Sequence, residues 1–341
     1  MARRFSDYDE SDVRVRPGKG SRPRSKDRPS HDDAVGGMVV TKDRGRWGVV
    51  LDDTGAVVQC MRARELKKVS VEVGDRVGVV GDTSGDKDTL ARIVKREDRT
   101  SVLRRTADDT DPYERIIVAN AQLLLIVVAA ADPPPRTGFV ERALIAAFVG
   151  GVTPVVCVTK TDLADPSDFE RELEAMGVEV LRTGVEDGVE QLLKLIDGHV
   201  SALIGHSGVG KSTLVNRIVP DADRETGEVS GVGKGRHTST QSVALEVPGG
   251  GWIIDTPGIR SFGLAHVSPE EIVDVFPDLE EAAQRCPRGC THLGPPADPE
   301  CAWDELDPAS PVGRRAAAVR GLLAALHSNN EWELKQLDEH R

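Results

Sequence analysis

The chain has 341 residues, which exceeds what one hydrophobic core usually needs, so more than one domain is expected. Its formal net charge of −12 excludes nonspecific binding of nucleic acid by the whole surface, and any RNA contact must come from local basic patches. No apolar run is long enough to cross a bilayer and no secretory signal is visible, so we expect a cytoplasmic protein without membrane contact.

The N-terminal part of the chain divides into a tail and a small β-rich module. Residues 1–35 are polar, carry the basic run Arg16–Arg24, and are expected to form a disordered basic tail. This tail is either a weak phosphate-binding arm or a merely solvated segment. Residues 36–100 contain short β-rich runs separated by turns, which favours an OB-fold barrel. The five predicted strands are Met38–Val40, Trp47–Leu51, Ala56–Val58, Val77–Val80 and Ala91–Val94.

Basic residues cluster in one predicted loop of this module. Arg62, Arg64, Lys67 and Lys68 lie close together along the chain and could meet an RNA backbone. Aromatic residues that would stack on bases are not interleaved with them, so recognition of shape and phosphates is favoured over base reading. An ordinary solvated face is the alternative.

Residues 108–265 alternate between predicted strands and helices, a pattern typical of a mostly parallel, doubly wound α/β sheet. The longest apolar run, Leu123–Ala131, predicts a central parallel strand. Helices are predicted at Phe139–Phe148, Phe169–Met176 and Glu190–Ile196. Ligands of such sheets bind beyond the carboxyl ends of the strands, so motifs at strand ends are the candidates for function.

The first such motif follows the predicted strand Thr153–Val158. It consists of Thr159, Lys160, Thr161 and Asp162 and resembles the guanine-reading motif of GTPases. The carboxylate of Asp162 can accept hydrogen bonds from the N1–H and N2 amino groups of guanine together. Adenine lacks this pair of donors and would leave the charge unpaired, which is costly. The stem of Lys160 is expected to lie over the base.

A phosphate-binding loop follows the apolar run Val200–Ile204 and precedes a predicted helix. Its glycines allow backbone N–H groups to surround phosphate oxygens at a helix N-terminus. Lys211 is expected to reach the β- and γ-phosphates, and the hydroxyl of Ser212 to bind Mg²⁺. The alternative, a chance glycine loop, lacks this strand–loop–helix context. The whole loop is Gly205, His206, Ser207, Gly208, Val209, Gly210, Lys211, Ser212 and Thr213.

Two further elements complete the predicted nucleotide site. Asp255, at the end of an apolar strand, is expected to hold Mg²⁺ through water, and the N–H of Gly258 to touch the γ-phosphate. The loop between these motifs contains Thr238, which could supply a second hydroxyl to Mg²⁺, and His237. Ile259 cannot orient a water molecule as a glutamine would, so His237 is the candidate that does. A plain surface loop is the alternative for both.

The guanine motif precedes the phosphate loop here, whereas ordinary GTPases have the opposite order. This order predicts a circularly permuted GTPase domain, which can retain its site because the termini of compact domains often lie close together. The chain leaves Gly258 and runs directly into residues 266–341. That segment is therefore expected to anchor or sense the switch.

Residues 266–341 are predicted to form a helical zinc-binding domain. Three thiols and one imidazole, from Cys286, Cys290, His292 and Cys301, make up the closed ligand set of a structural zinc site. A reduced cluster without metal is the alternative, and a disulfide is disfavoured in the cytoplasm. Helices are predicted at Pro269–Phe276, Pro311–Leu326 and Asn330–Arg341.

Together, the permuted motifs and the Cys₃His set resemble the RsgA family of bacterial GTPases that depend on the small ribosomal subunit. The resemblance covers the chain from about Gly36 and implies an OB-fold, a permuted GTPase domain and a zinc domain. It also implies late maturation of the small subunit as the function, and it points to His237 as the catalytic histidine. Two departures are the Gly294–Glu300 insert and Thr183-Gly184, where Ser-Ala is usual.

We therefore predict a monomeric GTP hydrolase, with GTP and GDP as nucleotides, one structural Zn²⁺ per chain and Mg²⁺ bound with GTP. Its partners are expected to be the small ribosomal subunit and rRNA, contacted through the OB-fold and zinc domains. One alternative is an RNA-binding zinc protein that nucleotide only regulates, with little turnover. The other is a P-loop kinase or ATPase, which Asp162 disfavours.

Overall fold

The computed structural model describes residues 31–66, 69–86, 88–106, 115–220, 242–256, 264 and 266–339, with side chains described as far as residue 327. The chain divides into two compact units, Met1–Asp33 and Ala34–Arg341. All the strands and helices given below belong to the second unit. No helix in the described ranges is long and apolar enough to cross a membrane.

The first five strands form a small barrel. They pair in the order β1-β2-β3-β5-β4, and β1 also pairs with β4, which closes the barrel in the strand order of an OB-fold. Inward-facing side chains such as Val39, Val49, Val58 and Ile93 are fully buried and fill the interior. The strands are β1 Val35–Asp43, β2 Arg46–Leu51, β3 Val57–Arg62, β4 Arg76–Gly81 and β5 Ala91–Arg96, with a short 3-10 helix at Arg64–Leu66.

A hairpin that the sequence pattern did not predict follows the barrel. Strands β6 (Val102–Arg105) and β7 (Arg115–Ala119) pair antiparallel with each other. β6 ends in Arg104 and Arg105 and β7 begins with Arg115, and these charged residues interrupt the apolar alternation by which a strand is usually predicted. The hairpin leads into the main sheet.

The remaining strands form a sheet in the order β10-β9-β8-β11-β13-β12. All adjacent pairs are parallel except β12–β13, and β8 lies at the centre as predicted. The strands are β8 Leu123–Ala129, β9 Thr153–Thr159, β10 Glu179–Arg182, β11 Val200–Gly205, β12 Val243–Glu246 and β13 Trp252–Asp255. The helices between them are α1 Thr137–Val149, α2 Ser167–Ala175, α3 Glu190–Ile196 and α4 Lys211–Ile218.

Alternate residues of β8 point into two separate cores. Leu124 and Ile126 pack in the core that includes α1 and α2, whereas Leu125 and Val127 pack in the core that includes α3 and α4. Because successive side chains of a strand face opposite sides of the sheet, a continuous apolar run is what a strand covered on both faces requires. The predicted doubly wound fold is confirmed.

The C-terminal region contributes to the first of these cores. Ile272, Leu279 and Val319 are fully buried there together with residues of α1 and α2. A capping box at Ser268 and Glu271 begins α5 and satisfies free N–H groups of its first turn. The elements are α5 Pro269–Val273, α6 Pro277–Ala283, a 3-10 helix at Ala302–Glu305, and α7 Pro311–Glu339.

The prediction of two separate C-terminal helices was wrong. A single helix, α7, runs from Pro311 to Glu339 through the polar residues 327–330. This polar stretch contains neither glycine nor proline, and polar residues with ordinary helix propensity interrupt a helix far less than those two. The predicted helix Pro269–Phe276 corresponds to α5, which ends at Val273. Helix α6, which was not predicted from the sequence, begins at Pro277, a residue suited to the first turn of a helix.

Candidate functional site

Three of the predicted nucleotide motifs lie along one edge of the sheet. β9, β11 and β13 run in the same direction, and each ends at a motif: Thr159–Asp162, Gly205–Thr213 and Asp255. Their carboxyl ends therefore face the same side, where open α/β sheets bind ligands. The fold brings together residues that are almost a hundred positions apart in the chain.

The phosphate-binding loop turns sharply between β11 and α4. Gly208 and Gly210 have φ values of +85° and +88°, a region that side chains with a Cβ rarely adopt. The side chain of Val209 between them is buried, whereas Ser207, Ser212 and Thr213 are exposed at the edge of the sheet. Lys211 begins α4, so the predicted phosphate-binding groups surround a helix N-terminus.

Lys211 and Asp255 meet across the sheet. The ammonium group of Lys211 is in contact with the Asp255 carboxylate. β11 and β13 pair in a register that aligns Leu203 with Asp255, and the Thr256 hydroxyl donates to the Leu203 carbonyl at 2.7 Å. Lys211, the predicted phosphate ligand, and Asp255, the predicted magnesium ligand, are thus adjacent and form an ion pair.

The guanine motif is connected to the phosphate loop through Thr159. Its side chain is 5% exposed, and its hydroxyl lies 2.5 Å from the Val209 carbonyl and 3.1 Å from the Val128 carbonyl. Lys160 has a φ of +54°, and its ammonium group contacts the Asp132 carbonyl. Asp162 is exposed beside them, free to face a base.

A second loop, after β10, contacts the guanine motif. The Thr161 hydroxyl donates to the Asp187 carboxylate at 2.6 Å, and the Gly184 N–H donates to the same oxygen at 2.9 Å. A Cβ at position 184 would lie 2.3 Å from the Thr161 hydroxyl oxygen, so a larger residue would fit here only if Thr161 shifted. Thr183-Gly184 was identified from the sequence as a departure from the family motif, but nothing in the sequence indicated that Asp187 bonds to the guanine motif.

His206, within the phosphate loop, packs against the start of α1. Its ring centroid lies 4.2 Å from that of Phe139 in the first turn of α1, where it also lines a small pocket with Arg136. Burial, together with the positive charge of Arg136, lowers the pKa of His206 below its ordinary value. The imidazole is therefore neutral at physiological pH and contributes packing to the loop rather than charge.

His237, Thr238 and Gly258 were also predicted to belong to the nucleotide site. All three lie outside the described residues, so their predicted roles stay predictions.

The four predicted metal ligands converge in the C-terminal region. The ligand atoms of Cys286, Cys290, His292 and Cys301 all lie within 4.8 Å of one another. The His292 Nδ1 atom is 3.5, 3.6 and 3.9 Å from the three sulfurs, in the order of the chain. In a tetrahedral zinc site, a nitrogen and a sulfur ligand are separated by about 3.5 Å, so this arrangement fits zinc.

The chemistry of the donor groups also fits a metal. Burial raises the pKa of Cys286 and raises that of Cys290 to about 12, which would keep these thiols protonated without a compensating cation. A bound cation reverses that preference, because thiolate is the form that binds metal. Burial also lowers the pKa of His292, which favours the neutral imidazole that a metal requires.

The residues around this cluster orient its ligands. The His292 ring stacks on Trp303 with centroids 4.6 Å apart, and the Arg320 side chain donates to the His292 carbonyl at 3.0 Å. The Asp298 carboxylate accepts hydrogen bonds from Thr291 N and Leu293 N at 3.1 and 3.0 Å, and another from the Thr291 hydroxyl. The segment Gly294–Glu300 thus supplies the carboxylate that holds the loop closed, which the spacing of the ligands alone did not indicate.

Comparison with known proteins places this chain among GTPases. The family model described as RsgA GTPase matches residues 96–265. The Small ribosomal subunit biogenesis GTPase RsgA of Ectopseudomonas mendocina (strain ymp) is 35% identical over 289 residues, covering 80% of this chain and 79% of that protein. The protein of the same name from Bacteroides fragilis (strain YCH46) is 33% identical over 281 residues, covering 77% and 88%.

Solved structures show the same architecture. The crystal structure of YjeQ from Thermotoga maritima superposes with a TM-score of 0.62 at 26% identity, covering 85% of this chain and 98% of that one. YloQ, described as a circularly permuted GTPase, superposes with a TM-score of 0.61 at 23% identity, covering 89% and 98%, and this supports the fold.

Proposed function

We propose that this chain, which belongs to the RsgA GTPase family, acts in the biogenesis of the small ribosomal subunit as a switch whose GTP hydrolysis is stimulated by that subunit. The chain is a circularly permuted GTPase. The observation that carries the proposal is the meeting of the guanine motif, the phosphate loop and Asp255 at one edge of the sheet, in permuted order. We place its action late in maturation of the subunit.

The base is read by the segment after β9. Asp162 accepts from the two donors of guanine, Lys160 lies alongside the base, and Thr159 fixes this segment to the phosphate loop by its contact with Val209. We assign Thr161 to holding the loop after β10 in place.

The phosphates are bound by the loop from Gly205 to Thr213. Backbone N–H groups at the start of α4 face the phosphate oxygens, and Lys211 leaves Asp255 to pair with the β- and γ-phosphates. Ser212, Thr238 and Asp255 would hold Mg²⁺, directly or through water. Bound with GTP, this ion offsets the charge that develops on the phosphates.

Hydrolysis needs a group that orients the attacking water. We assign that role to His237, because Ile259 occupies the position after Gly258 and carries no polar atom in its side chain. The N–H of Gly258 senses the γ-phosphate in the same proposal. Docking on the ribosome completes the site and raises a slow intrinsic rate.

The proposed domains are the barrel at residues 36–100, the GTPase domain at 108–265 and the C-terminal domain at 266–341. The barrel and the C-terminal domain are the proposed contacts with rRNA. We propose one structural Zn²⁺ per chain, held by Cys286, Cys290, His292 and Cys301. Zinc in such a closed site supplies folding free energy rather than chemistry. The protein is expected to work as a cytoplasmic monomer.

The decisive test is GTP turnover by the purified chain with and without purified small ribosomal subunits. We expect kcat to rise by roughly tenfold or more with small subunits, since completing a GTPase site in trans has effects of this size or larger. Large subunits serve as the control for nonspecific contact with RNA and should leave turnover unchanged.

Equal turnover in all three conditions would overturn the proposed stimulation and would favour the alternative, in which nucleotide only regulates RNA binding. Stimulation by small and large subunits alike would point to a general effect of RNA and would also contradict it.

A further inference from the structure

Arg217 connects the phosphate-binding helix to the loop after β10. It lies in the last turn of α4, which begins at Lys211, and its guanidinium donates to three backbone carbonyls of that loop. These are the carbonyls of Thr183 at 2.9 Å, Gly184 at 2.8 Å and Asp187, which it also contacts. A guanidinium presents several donors in a rigid plane, so the three bonds fix the loop relative to the helix.

Asp187 continues the connection on the other side of the loop. Its carboxylate accepts from the Thr161 hydroxyl and from the Gly184 N–H. Thr161 stands between Lys160 and Asp162, so this bond acts on the segment that reads the base. Thr183 and Gly184 are both buried, which leaves the loop little freedom to relax if these bonds are lost.

Arg217 and Asp187 therefore join three segments: α4, the segment Thr159–Asp162 and the loop 183–187. The first begins at the phosphates and the second reads the base, and the loop 183–187 contacts both of them. We propose that Arg217 and Asp187 are positioning residues that hold the base-reading segment at a fixed distance from the phosphate loop and thereby set guanine selectivity. This inference rests on the proposed function of Thr159–Asp162 as the base site.

The test is competition binding to the full-length chain with fluorescent GDP as the probe and GDP, IDP, ADP or tripolyphosphate as competitor. IDP lacks the N2 amino group that Asp162 is expected to bind, and tripolyphosphate reports on the phosphate loop alone. Arg217→Met and Asp187→Ala should each weaken GDP binding about tenfold and reduce the preference for GDP over IDP. Tripolyphosphate binding should stay within about twofold of wild type, because α4 keeps its N-terminus.

Two further variants separate positioning from folding. Asp187→Asn keeps a carbonyl oxygen that can accept both bonds, and it should retain most of the preference for GDP over IDP. Arg182→Met is the matched control: Arg182 adjoins Thr183 but pairs with Glu170 on the exposed surface, at 2.7 and 2.8 Å. This control should bind all four competitors like the wild type.

The outcomes distinguish the positioning role of Arg217 and Asp187 from the base-reading function of Thr159–Asp162. A wild-type chain that binds GDP and ADP equally would overturn the base site itself. A wild type that selects GDP, with Arg217→Met and Asp187→Ala retaining the full preference for GDP over IDP, would overturn only the positioning role. Equal losses of GDP and tripolyphosphate binding would show general damage and would also overturn it.

Discussion

Thr159 shows how a single hydroxyl can join two nucleotide motifs. The side chain is almost fully buried at the end of β9, and its hydroxyl lies within hydrogen-bond distance of the carbonyls of Val128 and Val209. Val209 is part of the phosphate loop. Leaving a buried carbonyl without this donor costs more free energy than the hydrogen bond contributes, since water cannot replace it.

We predict that Thr159→Val lowers the free energy of unfolding by about 1–3 kcal/mol and weakens GDP binding. Valine has nearly the same shape but no hydroxyl, so the effect reports the hydrogen bond rather than packing. Denaturant unfolding and GDP titration are the measurements. Thr153→Val, at the exposed first position of the same strand, should change stability by no more than about 0.5 kcal/mol. Equal effects at the two positions would contradict the role assigned to Thr159.

At the scale of elements, the loop from Cys286 to Cys301 depends on Asp298 as well as on its metal ligands. This region has short helices at its borders but irregular backbone around the ligands, where His292 has a φ of +59°. Asp298 accepts three hydrogen bonds from Thr291 and Leu293, on either side of His292. It therefore fixes the direction of the imidazole, as groups beyond the ligands do at many metal sites.

We predict that Cys290→Ser removes the zinc and that Asp298→Ala retains it with an affinity lower by about 10- to 100-fold. Metal analysis of the purified protein and competition with a chelator measure the two effects. The neighbouring exposed Glu300→Ala is the control and should bind zinc like the wild type. Finding no zinc in carefully purified wild type would remove the site, whereas unchanged affinity in Asp298→Ala would remove only the role of Asp298.

At the scale of the whole molecule, the barrel meets the β6–β7 hairpin, which leads into the GTPase sheet, at a close contact of backbones. Gly74, in the loop before β4, has a φ of +91°, and a Cβ there would lie 2.0 Å from the Ala119 carbonyl oxygen. Asn120 donates from its side chain to the Gly74 carbonyl at 3.0 Å and accepts from Thr100 N at 2.9 Å. The barrel is thus held against the end of the hairpin that leads into the sheet.

We predict that Gly74→Ala lowers the free energy of unfolding by more than about 2 kcal/mol, because it adds a backbone clash to the strain of a positive φ. Gly55→Ala is the control: Gly55 has a φ of +69° with no atom within 4 Å of the added Cβ, so only the strain of about 1–2 kcal/mol remains. Thermal and denaturant unfolding measure both. We also expect Gly74→Ala to reduce stimulation by small subunits, since a displaced barrel cannot dock together with the GTPase sheet.

A stability loss no greater than in Gly55→Ala would show that the barrel shifts freely and would contradict the close contact. If Gly74→Ala is destabilised but its GTP turnover is still fully stimulated by small subunits, then docking on the ribosome does not depend on the position of the barrel.

The sequence by itself determined the motifs, their order and the class of the fold. The apolar run Leu123–Ala131 could be assigned to a central strand because a strand buried on both faces must be apolar throughout. The phosphate loop and the Cys₃His set could be predicted because their chemistry depends on residue types at short spacings. The permuted order, which the comparisons confirm, is likewise a property of the chain alone.

Only the tertiary structure decided which distant residues hold these motifs in place. Arg217 contacts Thr183 across 34 positions, and Gly74 meets Ala119 across 45. Neither contact leaves a local pattern, because an arginine on a helix or a glycine in a loop has many uses that look the same in sequence. The physical reason is that hydrogen-bond partners and close backbone approaches depend on how elements pack, whereas periodicity and spacing record only what each element requires by itself.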